Sequence, residues 1–155
     1  MNFILAIDPG PVQSGYVLFN EHAGNVIDSG VRDNDAMLCK VIDWACEANS
    51  RCAIEMIASY GMAVGAEVFE TCVWIGRFVQ AWQGSKYNNE LPMLVYRKDV
   101  KLHLCGTTKA KDANIRQRLI DLYGPVGTKK APGKLYGVKS HAWPALAVAV
   151  TAAAA

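Results

Sequence analysis

Two carboxylates in this chain stand where an acid is costly. Asp8 closes the apolar run Phe3-Ile4-Leu5-Ala6-Ile7 and is followed at once by Pro9-Gly10; Glu55 closes a second run, Cys52-Ala53-Ile54. A continuous apolar run bounded by a turn reads as a strand buried on both faces. A carboxylate at its end needs a partner, because a lone buried charge is expensive unless it is paired, hydrogen-bonded or bound to a metal. Asp-Pro-Gly is also sound turn chemistry, and Asp8 taken alone is equally a turn residue bonding backbone N–H groups. The second acid matters here. Two central strands that are neighbours would bring Asp8 and Glu55 together.

The cationic residues lie elsewhere. Residues 1–95 hold five Lys/Arg and eleven Asp/Glu, net −6, whereas residues 96–140 hold eleven Lys/Arg and three Asp/Glu, net +8. A segment that basic is the electrostatic footprint of phosphate contacts, although a solvated surface accounts for many basic stretches. At 155 residues, 52% hydrophobic and 19% charged, the chain is expected to be one domain (1–155) with a core that needs no metal or disulfide for stability. No run reaches the roughly 18 apolar residues of a membrane span, and Asp8 comes too early for a signal peptide. Five cysteines without C-x-x-C spacing read as buried small apolar groups in a reducing compartment, so the expected setting is cytoplasmic.

The elements that must carry these residues follow in order. Strands are expected over 3–8, Ser14–Asn20 and Asn25–Val31, close enough for an antiparallel meander. Asp33–Asp35 supplies start chemistry for an amphipathic helix from Ala36 to about Ala48. Arg51–Ile57 is a fourth strand and Ala58–Gly65 a small-residue loop with Tyr60 and Met62. Glu67–Trp82 reads as a helix apolar almost all round, which must be covered by the sheet and by either other helices or a second subunit. A polar loop (Gly84–Glu90) leads to a fifth strand, Leu91–Tyr96. Asp99 caps a short helix through His103 that ends at Gly106. Thr107–Asp112 starts another helix with Ile115, Leu119, Ile120 and Leu122 as its stripe, stopped at Gly124. A mobile-looking Gly/Pro/Lys loop (124–139) carries Lys129, Lys130 and Lys134. Ser140 opens the last helix, with Pro144 in its first turn, where a missing N–H is harmless.

The order β-β-β-α-β-α-β-α-α is the ribonuclease H-like layout: a five-stranded mixed sheet, three strands antiparallel and then two parallel, flanked by helices. Four stretches carry a closer likeness. Ile7-Asp8-Pro9-Gly10 with Ser14-Gly15-Tyr16, then Ala53-Ile54-Glu55, then Thr107-Thr108-Lys109-Ala110-Lys111 with Arg116 and Gln117, and finally His141-Ala142-Trp143-Pro144-Ala145-Leu146 occur in sequence. Together they resemble the motifs of the RuvC family of Holliday-junction resolvases, with the compact length and alanine-rich last helix most similar to its phage-encoded branch. The resemblance implies a homodimeric endonuclease that cuts four-way DNA junctions symmetrically in phage recombination, replication or packaging, using Mg²⁺ or Mn²⁺, in one- or two-ion form. Hard oxygen ligands suit those ions. It makes Asp8, Glu55 and His141 the catalytic and metal-binding set. It also makes Lys109 and Lys111 the leading DNA contacts, with Arg97, Lys98, Lys101 and Arg116 behind them. A side chain in the Tyr60–Met62 loop is a candidate wedge for unstacking a base pair.

The last motif departs from the family. Bacterial members place two aspartates there, three residues apart; this chain has His141, which can ligate through an imidazole nitrogen, and Pro144, which cannot. Asp112 is a weaker candidate ligand. The departure leaves two other readings open: a non-catalytic binder of branched DNA with a degraded metal site, or a ribonuclease H-like nuclease acting on another branched or hybrid substrate.

Overall fold

β1 (Phe3–Asp8) is the central strand, and Ile4, Leu5, Ala6 and Ile7 are fully buried. Its alternating side chains feed two cores. β2 (Gln13–Asn20) pairs antiparallel with β1, and β3 (Asn25–Asp33) antiparallel with β2, completing the meander. β4 (Ser50–Met56) pairs with the other side of β1 and β5 (Met93–Tyr96) with β4, both parallel. The sheet order is therefore β3-β2-β1-β4-β5, the ribonuclease H-like arrangement. These coordinates are a computed structural model and describe residues 2–87 and 90–155. Part of the loop expected over Gly84–Glu90, residues 88 and 89, lies outside the described residues.

α1 (Asn34–Ala45) and α2 (Ala66–Gln83) cover one face, packing Met37, Val41, Ile75, Phe78 and Trp82 on Leu5, Ile7 and Tyr16. On the other face, α3 (Arg97–Cys105), α4 (Asp112–Tyr123) and α5 (Ala142–Ala153) close over Ile4, Ala6, Val17 and Phe19. α5 is buried on nearly every side, which explains its run of alanines: only small side chains let a helix sit between a sheet and two other helices.

Several expectations are corrected by the packing. α1 begins at Asn34, not Ala36, and the Asp33 side chain makes no capping bond. α3 begins at Arg97, so Asp99 lies within its first turn rather than capping it; Gly106 does end it, at a φ of +73° that suits glycine. Residues 107–111 are not helical, and α4 starts only at Asp112. The 124–139 loop is pinned: Gly127 bridges Pro132, and Leu135 and Val138 are buried in the core. α2 buries one stripe (Thr71, Ile75, Phe78, Trp82), leaving Phe69 and Val73 more than 60% exposed. Of the cysteines only Cys52 is buried, while Cys39 and Cys46 are exposed; all five are free thiols.

Candidate active site

Three parallel strands deliver three charged residues to one edge of the molecule. Ile7 stands opposite Ile54 in the β1–β4 register, so the next residues, Asp8 and Glu55, are adjacent. β5 ends at Tyr96 opposite Met56, and Arg97 follows as the first residue of α3. The carboxyl ends of parallel strands are where an open sheet gathers its chemistry.

Asp8 and Glu55 are largely buried, with side chains 17% exposed. Burial raises the Asp8 pKa from an ordinary 3.8 to about 8; the neighbouring Glu55 charge and a hydrogen bond with Glu55 push in the same direction, while Arg97 opposes them. Two carboxylates this close cannot both ionise without a counter-charge. One counter-charge is present: Arg97 Nη1 lies 3.2 Å from Glu55 Oε1, and its Nη2 contacts Asp112 Oδ1 at the start of α4.

His141 approaches from the opposite side, its Nδ1 3.5 Å from Asp8 Oδ2, with its side chain largely exposed. It is the residue preceding α5, and Gly15 is what lets it come so near. Gly15 pairs with Asp8 across β1–β2, and a Cβ there would lie 2.3 Å from the His141 carbonyl oxygen. The turn after Asp8 is held separately. Ser14 Oγ donates to Asn34 Oδ1 at 2.6 Å, Asn34 Nδ2 donates to the Gly10 carbonyl at 2.8 Å, and Gly10 N–H donates to Ser14 Oγ at 3.3 Å.

The sequence-derived set is thus brought together at Asp8 but does not surround a common point. Among the described residues, no three His, Cys, Asp or Glu side chains are arranged so as to hold a metal ion by themselves. The donor chemistry still suits a hard cation: two adjoining carboxylates, one kept protonated by its surroundings, lose their mutual repulsion when a divalent ion takes the proton's place. Pro144, in the first turn of α5, offers no donor.

The basic residues divide. Lys111 immediately precedes α4, its N–H donating to Asn114 Oδ1 at 2.9 Å, and so stands beside the Asp112–Arg97 contact. Lys109 is fully at the surface in the preceding loop, and Lys101 lies one turn beyond Arg97 on α3. Arg116 is exposed and stacks on Trp143, its guanidinium carbon 4.7 Å from the ring centre. Between α4 and α5 lies a cleft of about 460 Å³, with Arg97, Asp112 and His141 at its rim and Ile115, Leu119 and Trp143 among its walls. Lys129, Lys130 and Lys134 are exposed, as are Tyr60 and Met62.

Sequence reasoning missed the double role of Arg97, the Ser14–Asn34 link and the spacing function of Gly15. Arg97 gave one signal, its place directly after the fifth strand. The Ser14–Asn34 bond, between residues twenty apart, gave none.

No protein-family model matches the sequence, and no curated protein matches it. Solved structures do. The structure of Thermus thermophilus RuvC matches at a TM-score of 0.66 and 20% identity, covering 96% of this chain and 92% of that one. The T. thermophilus RuvC in complex with Holliday junction substrate matches at 0.69 and 16% identity, covering 97% and 92%. The fold is that of RuvC. At such identity the likeness to RuvC lies in the path of the backbone, and the side chains must carry any argument about activity. No helix of the described residues is long and apolar enough to cross a membrane.

Proposed function

We propose that this chain is a RuvC-like, divalent-metal-dependent endonuclease that resolves four-way DNA junctions as a homodimer, in the phage-infected cytoplasm. The observation that supports this reading is that Glu55 and His141 each lie beside Asp8 at the carboxyl edge of a RuvC fold, one structure of which is bound to a Holliday junction.

Asp8 and Glu55 would hold the ion, and His141 keeps the Asp8 carboxylate in place through Nδ1, or ligates in its own right. When bound, a divalent ion at such a pair polarises a phosphoryl oxygen and activates water for phosphodiester hydrolysis. Arg97 orients Glu55 through its contact with Oε1. Lys109 and Lys111, with Lys101 and Arg97 behind them, neutralise the DNA backbone, and Arg116 contributes through its stack on Trp143. The exposed Tyr60–Met62 loop supplies a side chain able to enter an opened base step. The exposed Phe69–Val73 stripe of α2 is the surface assigned to the partner subunit.

Incubating the protein with an end-labelled four-way junction and Mg²⁺ or Mn²⁺ tests the reading. Paired nicks at symmetric positions, with linear duplex uncut, are expected. Preferential cutting of flaps or RNA–DNA hybrids would instead assign another substrate. Junction binding with no cutting in either metal would favour the non-catalytic binder, the reading to which Pro144 and the Arg97–Glu55 pair lend weight.

A further inference from the structure

We propose that Arg97 is a built-in cation of the active site, occupying the Glu55 side of the acidic pair and restricting the site to one divalent ion. The inference rests on the nuclease reading above and concerns how its charge is balanced.

Glu55 stands beside Asp8, and one guanidinium, Arg97, touches both Glu55 and Asp112 through different nitrogens. That two-point grip matters. Guanidinium is a rigid planar fork, always charged, so anchoring both outer nitrogens fixes its position and orientation. The backbone enforces the placement as well. Arg97 follows β5 directly, and β5 pairs in parallel register with β4, so the guanidinium enters alongside Glu55 from the neighbouring strand. Glu55 Oε1 is thereby committed to Arg97, whereas Asp8 Oδ2 lies 3.5 Å from His141 Nδ1.

A two-ion site needs its ions about 4 Å apart, bridged by a shared carboxylate. A second ion held by Glu55 would lie beside the Arg97 guanidinium, whose Nη1 is 3.2 Å from Glu55 Oε1, and neighbouring unscreened cations repel strongly. The other end of the site adds no compensating anion, because His141 is uncharged when it ligates and Pro144 has no donor. One divalent ion and one guanidinium therefore supply the two positive charges. Arg97 also borders the cleft between α4 and α5, from which the same guanidinium meets an incoming phosphate. Asp112, 80% exposed, serves as the outer anchor of the arginine, not as a metal ligand.

Mn²⁺ binding without DNA decides the matter, read by calorimetric titration and by the electron paramagnetic resonance spectrum. The expected result is one Mn²⁺ per wild-type chain with the spectrum of an isolated ion, and two per Arg97→Ala chain with the spectrum of an exchange-coupled pair. Arg97→Lys retains the charge and should stay at one. Asp112→Ala should also stay at one, whereas loss of binding in that variant would make Asp112 a ligand and overturn its role as anchor. Equal stoichiometry in wild type and Arg97→Ala overturns the proposal. Should Arg97→Ala not fold by circular dichroism, Arg97→Gln provides the same comparison with a longer stem. If wild type binds two ions and cuts junctions, only the Arg97 inference falls. If no folded variant binds Mn²⁺, the metal-dependent reading falls with it.

Discussion

Asp8 is costly to ionise where it lies, buried beside Glu55. Its carboxyl holds a proton to about pH 8 in the folded chain but only to its ordinary 3.8 when unfolded. Between those values the folded state binds more protons, so stability is full at the acid end and falls as pH rises toward 8. Asp8→Asn removes the charge and keeps the shape. It should abolish junction cutting, leave junction binding intact, and raise Tm by roughly 5 °C at pH 8 with little change at pH 4. Differential scanning calorimetry at the two pH values checks the stability half, and an unchanged Tm at pH 8 would contradict it. The same residue marks the limit of what sequence reveals. An acid closing an apolar run is legible as a misplaced charge, and Asp8 and Glu55 were found in that way. What neutralises them was not, because the Arg97 contact depends on strand register and on a helix starting two residues earlier than its expected Asp99 cap.

At the scale of elements, the junction of β2 with the start of α5 positions the imidazole. Gly15 is required there by close approach and not by an unusual φ. Gly15→Ala forces a methyl group onto the His141 carbonyl, a displacement that should cost about 2 kcal/mol and lower Tm by roughly 4–8 °C. Cutting should fall further than global stability alone explains, since His141 moves off Asp8; nicking rates measured well below Tm separate the two effects. The succession of the five strands along the chain was legible because the apolar runs and their breaks are sharp. Boundaries were less so. Residues 107–111 carry helix-compatible side chains, but the chain makes local turn bonds there, with Thr107 Oγ1 accepting from the Lys109 N–H at 3.2 Å. Asn34, inside α1, gives its side chain to the Pro9–Gly10 turn, a use that no local pattern announces.

Across the whole molecule, charge and exposed apolar surface are segregated. The net +8 of residues 96–140 is spread along α3, α4 and the loops around them: Arg97 and Lys111 stand near the carboxyl ends of β4 and β5, whereas Lys134 meets the start of β3 at the opposite edge. Junction affinity should therefore weaken steeply with salt. Lys109→Ala and Lys111→Ala should each lessen the slope of log K against log salt by about one, for any branched substrate. Fluorescence anisotropy across a salt series measures this, and an unaltered slope would remove those lysines from the interface. The apolar surplus lies on α2, where Phe69 and Val73 project outward. Phe69→Glu should convert a dimer to monomers by light scattering, with secondary structure retained; a parent that is already monomeric would place the subunit contact elsewhere or deny it. The sequence pointed to this helix through an excess of apolar side chains, but not to which stripe was surplus, since that depends on how α1 and the sheet divide its circumference.

The burial of α5 has a consequence for synthesis. β1, β2 and β4 can pair as soon as they leave the ribosome, yet the face of the sheet bearing Ile4, Ala6, Val17 and Phe19 is not fully covered until residues 142–153 join α3 and α4 on it. His141 arrives with that same helix. A nascent chain therefore carries its acidic pair long before His141 can join it, and its partly covered sheet face is a natural client for chaperones until α5 docks.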